Sequence, residues 1–409
     1  MSASVTTASG HSNKSTKTQI VIVGAGLAGS VAAVTLGRAG YRVTLVDRYA
    51  EYPPEFRVEK IAGAQVAALK RLGLLDAVAA ASTRFDHIVN YRRGRVLDHS
   101  WSPHFGIMYH DLVRVVREQL PASVDSIVGR VTDLQTSAAG QTVSLDDGSR
   151  IDCDLVIIAT GMNDALRQKL GIKRKVVFEK QSLSFGFSIR STAEAGFQTR
   201  ALTYYGESLS DQIDYLSLFP IGDIMRANLF TFLDHRDPWI RDLRQRPKET
   251  LLAAMPALEG LLGDFEVVDR VQNWVMDLSV VENHRQDGVV LIGDSFQTSC
   301  PAAGTGVSRL LADVEALCTV HVPRWFETPN ITAAKIGQFY DDPSKRASDE
   351  RAARLAEYRR SLTIDGSLRW SLHRRQLYLR RQVLNWIDGF DPGWTKRLKQ
   401  RMTATDQAA

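Results

Sequence analysis

The apolar positions of this chain follow two different rhythms, and the change between them divides it. Near the amino end, "TQIVIVGAG" is a continuous apolar run closed by glycines. A run without polar alternation predicts a strand covered on both faces, as in the middle of a parallel sheet. "LAGSVAAVTLGRAG" follows, ends on Gly40 and predicts a helix. "YRVTLVDR" reads as a second parallel strand, closing a strand-helix-strand unit of about 30 residues. In "IAGAQVAALKRLGLLDAV" the recurrence of Leu69, Leu72 and Leu75 predicts one helix, and "YHDLVRVVREQL" predicts an amphipathic one. "VSLDDGSRIDCDLVIIATG" predicts a hairpin turning at Asp147-Gly148 into another buried strand.

The second rhythm is strict alternation. In "SLSFGFSI", Leu183, Phe185, Phe187 and Ile189 share one parity and Ser182, Ser184, Gly186 and Ser188 the other, which predicts a half-exposed antiparallel strand. "IDYLSLFPIGD" and "MRANLFTFLD" are its companions, so a mostly antiparallel layer is expected over residues 172–278. Parallel-sheet character returns at "GVVLIGDS", with "GVSRLLADVEALCTV" as the helix after it. From Lys345 onward, helical segments rich in arginine, leucine and tryptophan are expected, interrupted around "DGFDPGW". The expected organisation is a flexible tail (1–17), a first domain split into 18–171 and 279–344, a second domain (172–278) inserted in it, and a helical carboxy-terminal region (345–409).

Composition narrows the class. With 409 residues, 44% apolar and 24% charged, the chain suits one large or two intimately joined globular domains. A net charge of +5 favours anionic ligands, and no nucleic-acid-binding motif accompanies it. Cys153, Cys300 and Cys318 are few and widely spaced, which argues against a disulfide framework or a zinc site and fits a reducing cytoplasm. The first residues lack the apolar core of a signal peptide, and no run approaches the ~20 apolar residues of a membrane-spanning helix.

Two glycine-rich loops carry the chemistry. In "GAGLAG", Gly24 permits a tight turn, Gly26 lets a pyrophosphate approach the backbone, and Gly29 lets helix and strand pack closely. Free amides at the helix start then point at phosphate. Asp47, ending the second strand, stands at the distance where an acid accepts a bond from ribose hydroxyls. The pattern is that of a Rossmann-like dinucleotide site. The second loop, "GDSFQTSCPAAGTG", selects among dinucleotides, because a plain NAD domain has no use for it. Asp294 at a strand end suits a ribityl chain, and Pro301, Gly304 and Gly306 let main-chain amides approach the pyrimidine edge of a flavin. The expected cofactor is therefore FAD, held at its diphosphate by one loop and at its flavin by the other.

On these blocks, and on the proline-containing "YLSLFPIGD", the chain resembles the flavin-dependent monooxygenases of the para-hydroxybenzoate hydroxylase type over roughly residues 18–340. The resemblance implies an α/β fold with a parallel-sheet FAD domain and an antiparallel substrate domain. It implies main-chain contacts from Leu27 and Ala28 to the diphosphate, Asp47 and Arg48 beside the adenosine ribose, and Val131 against adenine. Asp294, Gly304, Thr305 and Gly306 would hold the ribityl chain and flavin, with Arg57 of "FRVEK" near the ring. The implied reaction is hydroxylation or epoxidation of a small apolar or aromatic molecule through a flavin hydroperoxide, with NAD(P)H as reductant.

Several positions depart from that pattern. Gln297 stands where histidine is usual and Ser308 where asparagine is common, and around Tyr109 an arginine touching the cofactor is expected. "DLVIIATG" ends in Ala-Thr-Gly, with Gly161 counted in the cofactor cradle, where these hydroxylases carry an Asp-Gly element linked to flavin and NAD(P)H. That departure keeps two alternatives open: reduction by a partner flavin reductase, and another flavin oxidoreductase on this scaffold, either a dehydrogenase or oxidase acting on its substrate directly, or a halogenase. A halogenase is disfavoured by the lack of a Trp-x-Trp-x-Ile-Pro element. A binding protein that has lost its flavin is disfavoured by the retained glycines and by Asp294.

No triad or metal box is evident, and no side chain is named as catalytic. His87, His99 and His104 lie near tyrosine and arginine, where a base for a phenol-like substrate would be sought. Tyr204, Tyr205, Tyr215 and Arg226 suit either a pocket lining or simple packing, and Cys300 a small packing residue more than an activated thiol. "SLRWSLHRRQLYLRRQVLNW" has the composition of a helix that covers the core, with weak contact to an anionic membrane surface as the alternative.

Overall fold

In the computed structural model, which describes residues 16–390, the first rhythm forms a five-stranded sheet. Its strand order is Val289–Leu291, Leu155–Ile158, Ile20–Val23, Val43–Asp47 and Val124–Val128, and every pairing is parallel. All residues of Ile20–Val23, Leu155–Ile158 and Val289–Leu291 are buried. Helices such as Leu27–Arg38 and Gly306–Ala316 pack into the same apolar cluster, which is why these strands have no polar face. A four-stranded sheet flanks it in the order Thr16–Lys17, Arg150–Cys153, Gln141–Leu145, Val131–Thr136. Thr16 and Lys17 pair with Ile151 and Asp152, so the expected tail over 1–17 ends before Thr16. The rest of that tail lies outside the described residues.

The second sheet is larger than the alternation predicts. Its nine strands run Phe265–Val267, Lys173–Ser191, Ile224–Thr231, Ile213–Ile221, Leu202–Tyr205, Thr83–Arg92, Arg95–Met108 and Val58–Ala62, with Gln272–Glu282 also pairing Lys173–Ser191. Residues 58–108 thus contribute three strands to a layer expected to begin at 172, and the segment assigned to the first domain is shared. The single helix expected over 61–78 is corrected with it. Ile61 and Ala62 end a strand, and a left-handed Gly73 (φ +66°) separates Ala64–Arg71 from Leu75–Ala80.

The half-exposed strand is corrected too: residues 181–189 are buried on both parities. Leu183, Phe185, Phe187 and Ile189 pack with Leu243, Leu251 and Met255 from covering helices. The serine and glycine parity is buried because the second glycine loop covers Ser182 through Cys300, while Phe56 and Arg226 close over Gly186 and Asp269 bonds Ser188. The last described helix is Leu368–Phe390, which continues into the expected "DGFDPGW" interruption; the remainder of that stretch lies outside the described residues.

Candidate cofactor and substrate site

The first loop leaves Ile20–Val23 at Gly24, whose φ is +100° and whose Cβ, if present, would lie 2.6 Å from the Ala159 carbonyl oxygen. A Cβ on Gly29 would overlap the Gly24 carbonyl, whereas one on Gly26 would meet nothing nearer than the Tyr52 ring at 3.9 Å. Gly29 is thus required for packing, and Gly26 faces open space. The helix from Leu27 has no side-chain cap and no acid in its first turn, so its leading amides keep their affinity for an anion. Asp47 accepts from the amides of Ala25 (2.6 Å) and Tyr49 (2.9 Å) and has Arg117 at 3.8 Å. Arg48 is exposed beside Tyr49, and the Asp47 carbonyl accepts from Gly129, which brings buried Val131 to the same edge.

The second loop follows Val289–Leu291. Asp294 lies 3.5 Å from Arg309, and its own carbonyl accepts from Arg174. Pro301 opens a short turn ended by left-handed Gly304 (φ +64°), and the helix from Gly306 is again uncapped without an acid in its first turn. No protein atom would lie within 4 Å of a Cβ on Gly304 or Gly306, and Thr305 Oγ1 is buried without a hydrogen-bond partner. A Cβ on Gly293 would sit 3.3 Å from Ala28 Cβ, so the two loops meet. Gly161 turns at φ +61° two residues past Ala159, with open space around it. Two uncapped helix starts, an orphaned hydroxyl and two glycine cradles fit the two ends of FAD.

Arg57 lies beside Tyr52, the ring nearest Gly26 of the first loop, and beside the helix that starts at Tyr109. It donates to Tyr52 (3.0 Å) and Glu55 (2.7 Å) and lies over the Tyr109 ring at 4.1 Å. Around Tyr109, where an arginine is expected, the guanidinium at hand is that of Arg57, from the segment just before the strand Val58–Ala62. Beside them, burial pushes the Glu59 carboxyl up to about 7, against the pull of Arg57 and with help from Glu55 and Asp294.

Opposite the second loop lies the polar parity of the large sheet. Residues paired across antiparallel strands share a face, so Ser184, Gly186 and Ser188 stand with Phe230, Asn228 and Arg226, and these with Tyr215, Ser217 and Phe219. The Tyr215 hydroxyl donates to the Ala302 carbonyl of the loop (3.0 Å), and Cys300 packs on Ser182. Arg226 is ion-paired to Asp269 (3.1 Å) and donates to the Phe56 carbonyl. The face is therefore a largely buried, mixed polar and aromatic surface against the second glycine loop.

Other singled-out residues fall elsewhere. Tyr204 sits on the helix-covered side, its hydroxyl accepting from the Gly94 amide. His87 and His99 stack with exposed Trp101, while His104 stacks on Phe85 and is held below the ordinary imidazole range by burial. Burial pushes the Cys300 thiol up, which makes it a packing residue. Sequence reasoning does not single out Arg117, Arg167, Glu59 or Lys60. Arg167, six residues past the Gly161 turn, is buried and donates to the Ser295 carbonyl (2.6 Å), a tie visible only once the two segments are folded together.

Comparison with known proteins agrees with this geometry. The family model described as "FAD binding domain" matches residues 17–320. The chain is 24% identical over 357 residues to salicylate hydroxylase of Pseudomonas putida, covering 79% of this chain and 81% of the relative. It is 22% identical over 316 residues to 3-amino-4-hydroxybenzoate 2-monooxygenase of Streptomyces platensis, covering 73% and 78%. Among solved structures, p-nitrophenol 4-monooxygenase from Pseudomonas putida superposes with a TM-score of 0.74 at 16% identity, covering 95% of this chain and 98% of that one. Two glycine loops whose geometry fits FAD and a match over most of the sequence lead to one conclusion: the chain belongs to the FAD-binding-domain family of flavin-dependent monooxygenases.

Proposed function

We propose that the protein inserts one oxygen atom of dioxygen into a small, largely aromatic substrate, the second atom leaving as water with two electrons and two protons from a reductant. The observation that carries this reading is the enclosed face Tyr215–Ser217–Phe219 and Asn228–Phe230, joined directly to the flavin-end loop by the Tyr215–Ala302 hydrogen bond. FAD bound at the two loops would supply the oxygen-activating redox chemistry. The chain's own residues do the rest. The helix starts at Leu27 and Gly306 hold uncapped amides that would face negative charge, that of a diphosphate at the first and that of a bound flavin at the second. Phe56, Phe219 and Phe230 wall the site, which favours oxygen transfer over loss to water. Glu59, held near 7, can give or take a proton beside Asp294 at neutral pH.

The electron source is the second part of the proposal. The turn Thr160-Gly161 offers no carboxylate, and the nearby Asp164 is committed to Arg167 and Arg174. That favours electrons delivered by a partner flavin reductase over direct reduction by NADH or NADPH. An anaerobic absorbance titration of the protein loaded with FAD tests it. No bleaching with either nicotinamide, but bleaching once a flavin reductase is added, is the expected result; rapid bleaching by NADH or NADPH alone overturns it. Bleaching by a candidate substrate alone would make the protein a substrate-oxidising enzyme.

A further inference from the structure

Most of the enclosed cations among the described residues face carboxylates. Lys345 is held by Asp313 (2.9 Å) and Asp349 (3.0 Å), Arg226 by Asp269 (3.1 Å), Arg309 by Asp349 (3.3 Å) and Arg359 by Asp214. This is the usual requirement, because a charge withdrawn from water is costly without a counter-charge. Arg374 donates instead to the Leu362 carbonyl and Ser371 Oγ of its own helix pair, and Lys60 has a single hydroxyl. The lysine is half-buried on the edge strand Val58–Ala62, opposite Gly106. Gly106 packs so closely on Pro220 and Phe219 that the sheet curls back on itself there and brings Lys60 over the strand Ile213–Ile221. Its ammonium donates to Ser217 Oγ (3.2 Å) and lies 5.7 Å from the Phe219 ring centre. Among the described residues no carboxylate stands within 4.0 Å of it. Burial pushes the group down to about 8, so it is still mostly charged at neutrality.

Ser217 belongs to the face that Tyr215 ties to the flavin-end loop. Alternate residues of a strand lie about 7 Å apart, so the span from Lys60 and Ser217 to Tyr215 and Ala302 is about that of one substituted benzene ring. Resting on the monooxygenase reading above, we propose that Lys60 binds a carboxylate of the substrate. The site then takes an aromatic acid, with its acid group on Lys60 and Ser217 and its ring toward the flavin-end loop. A carboxylate is preferred to a phenol because it is ionised throughout the range in which the ammonium is charged, whereas an ordinary phenol, with a pKa of about 10, is not.

The test uses the full chain loaded with FAD, and Lys60→Gln. Flavin occupancy and thermal midpoint are read first: a chain that takes no FAD overturns the monooxygenase reading, while loading of both proteins leaves Lys60 as the question. Benzoate and salicylate, their amides, and phenol are then titrated against the visible flavin band. The expected result is binding of the acids in preference to their amides, weakened about tenfold or more in Lys60→Gln, with amide binding unchanged. In the native chain acid binding should weaken as pH rises through 8 and Lys60 loses its proton, and that slope should vanish in the variant. The charged or titratable group that faces Lys60 from the adjoining strand is His104, held below its ordinary range and so already neutral in that window. Acids that bind no better than amides, or an unchanged affinity in Lys60→Gln, overturn the proposal. Phenol bound more tightly than benzoate would move the anion to a phenolate and overturn the acid assignment.

Discussion

Gly26 and Gly29 differ in what a methyl group would meet, and the difference separates folding from binding. A Cβ on Gly29 collides with the Gly24 carbonyl, a backbone atom that cannot move without opening the strand-to-helix turn, whereas one on Gly26 points into the cradle. Gly29→Ala should therefore lower both the thermal midpoint and flavin occupancy. Gly26→Ala should leave the apo midpoint within about a degree of native, surface substitutions being nearly neutral, and lower FAD occupancy alone. Absorbance and thermal scans of the two variants check this, and a Gly26→Ala protein with full flavin would sink the assignment of the first loop. These glycines are legible in the sequence because their demand is local, a backbone shape fixed within six residues. Lys60 and Arg117 are not, because what each faces is decided by a sheet that curls and a helix that docks far along the chain.

Single elements show a similar divide. The helix Pro343–Ile364 starts where a sequence reader would place it, since Asp342 precedes a proline and its side chain accepts from the amides of Ser344 and Lys345. Burial would raise the Asp342 carboxyl, but bonds from Ser344, His321 and the Lys345 amide bring it down to about 2. Its contribution is thus complete above the ordinary carboxylate value of ~3.9 and is lost as pH falls from there toward 2. Asp342→Ala should cost about 1–2 kcal/mol at pH 7 and little at pH 2, read by urea unfolding at both pH values; an equal deficit at both would refute the cap. The strands Thr83–Arg92 and Arg95–Met108 were harder to see. Their alternation is broken by register shifts near Phe85 and Asn90, so the period that reveals "SLSFGFSI" is absent.

At the scale of the whole molecule, the carboxy-terminal helices act as a clamp. Arg359 reaches across to Asp214, which also accepts from Thr363 (2.9 Å), and Arg381 forms a two-pronged pair with Asp98 (2.8 and 2.9 Å). Two arginines of the carboxy-terminal helices, Arg359 and Arg381, are thus engaged by carboxylates of the large sheet. Arg359→Met should strand the buried Asp214 and cost about 3 kcal/mol. Because burial already raises that carboxyl, the deficit should shrink as the pH falls and Asp214 takes up a proton. Denaturation midpoints of variant and native chains across pH would show it, and a pH-independent deficit would mean that the arginine serves by packing alone. The contact of Ala28 with Gly293 has a consequence in time. If the two loops hold the two ends of FAD as proposed, the first half of the cradle emerges early in synthesis and the other half only after nearly three-quarters of the chain has been made. A nascent chain therefore has no complete grip on flavin until the inserted sheet has folded and returned its ends to the first domain. The yellow colour of a ribosome-bound or truncated chain would mark the moment at which that return is complete.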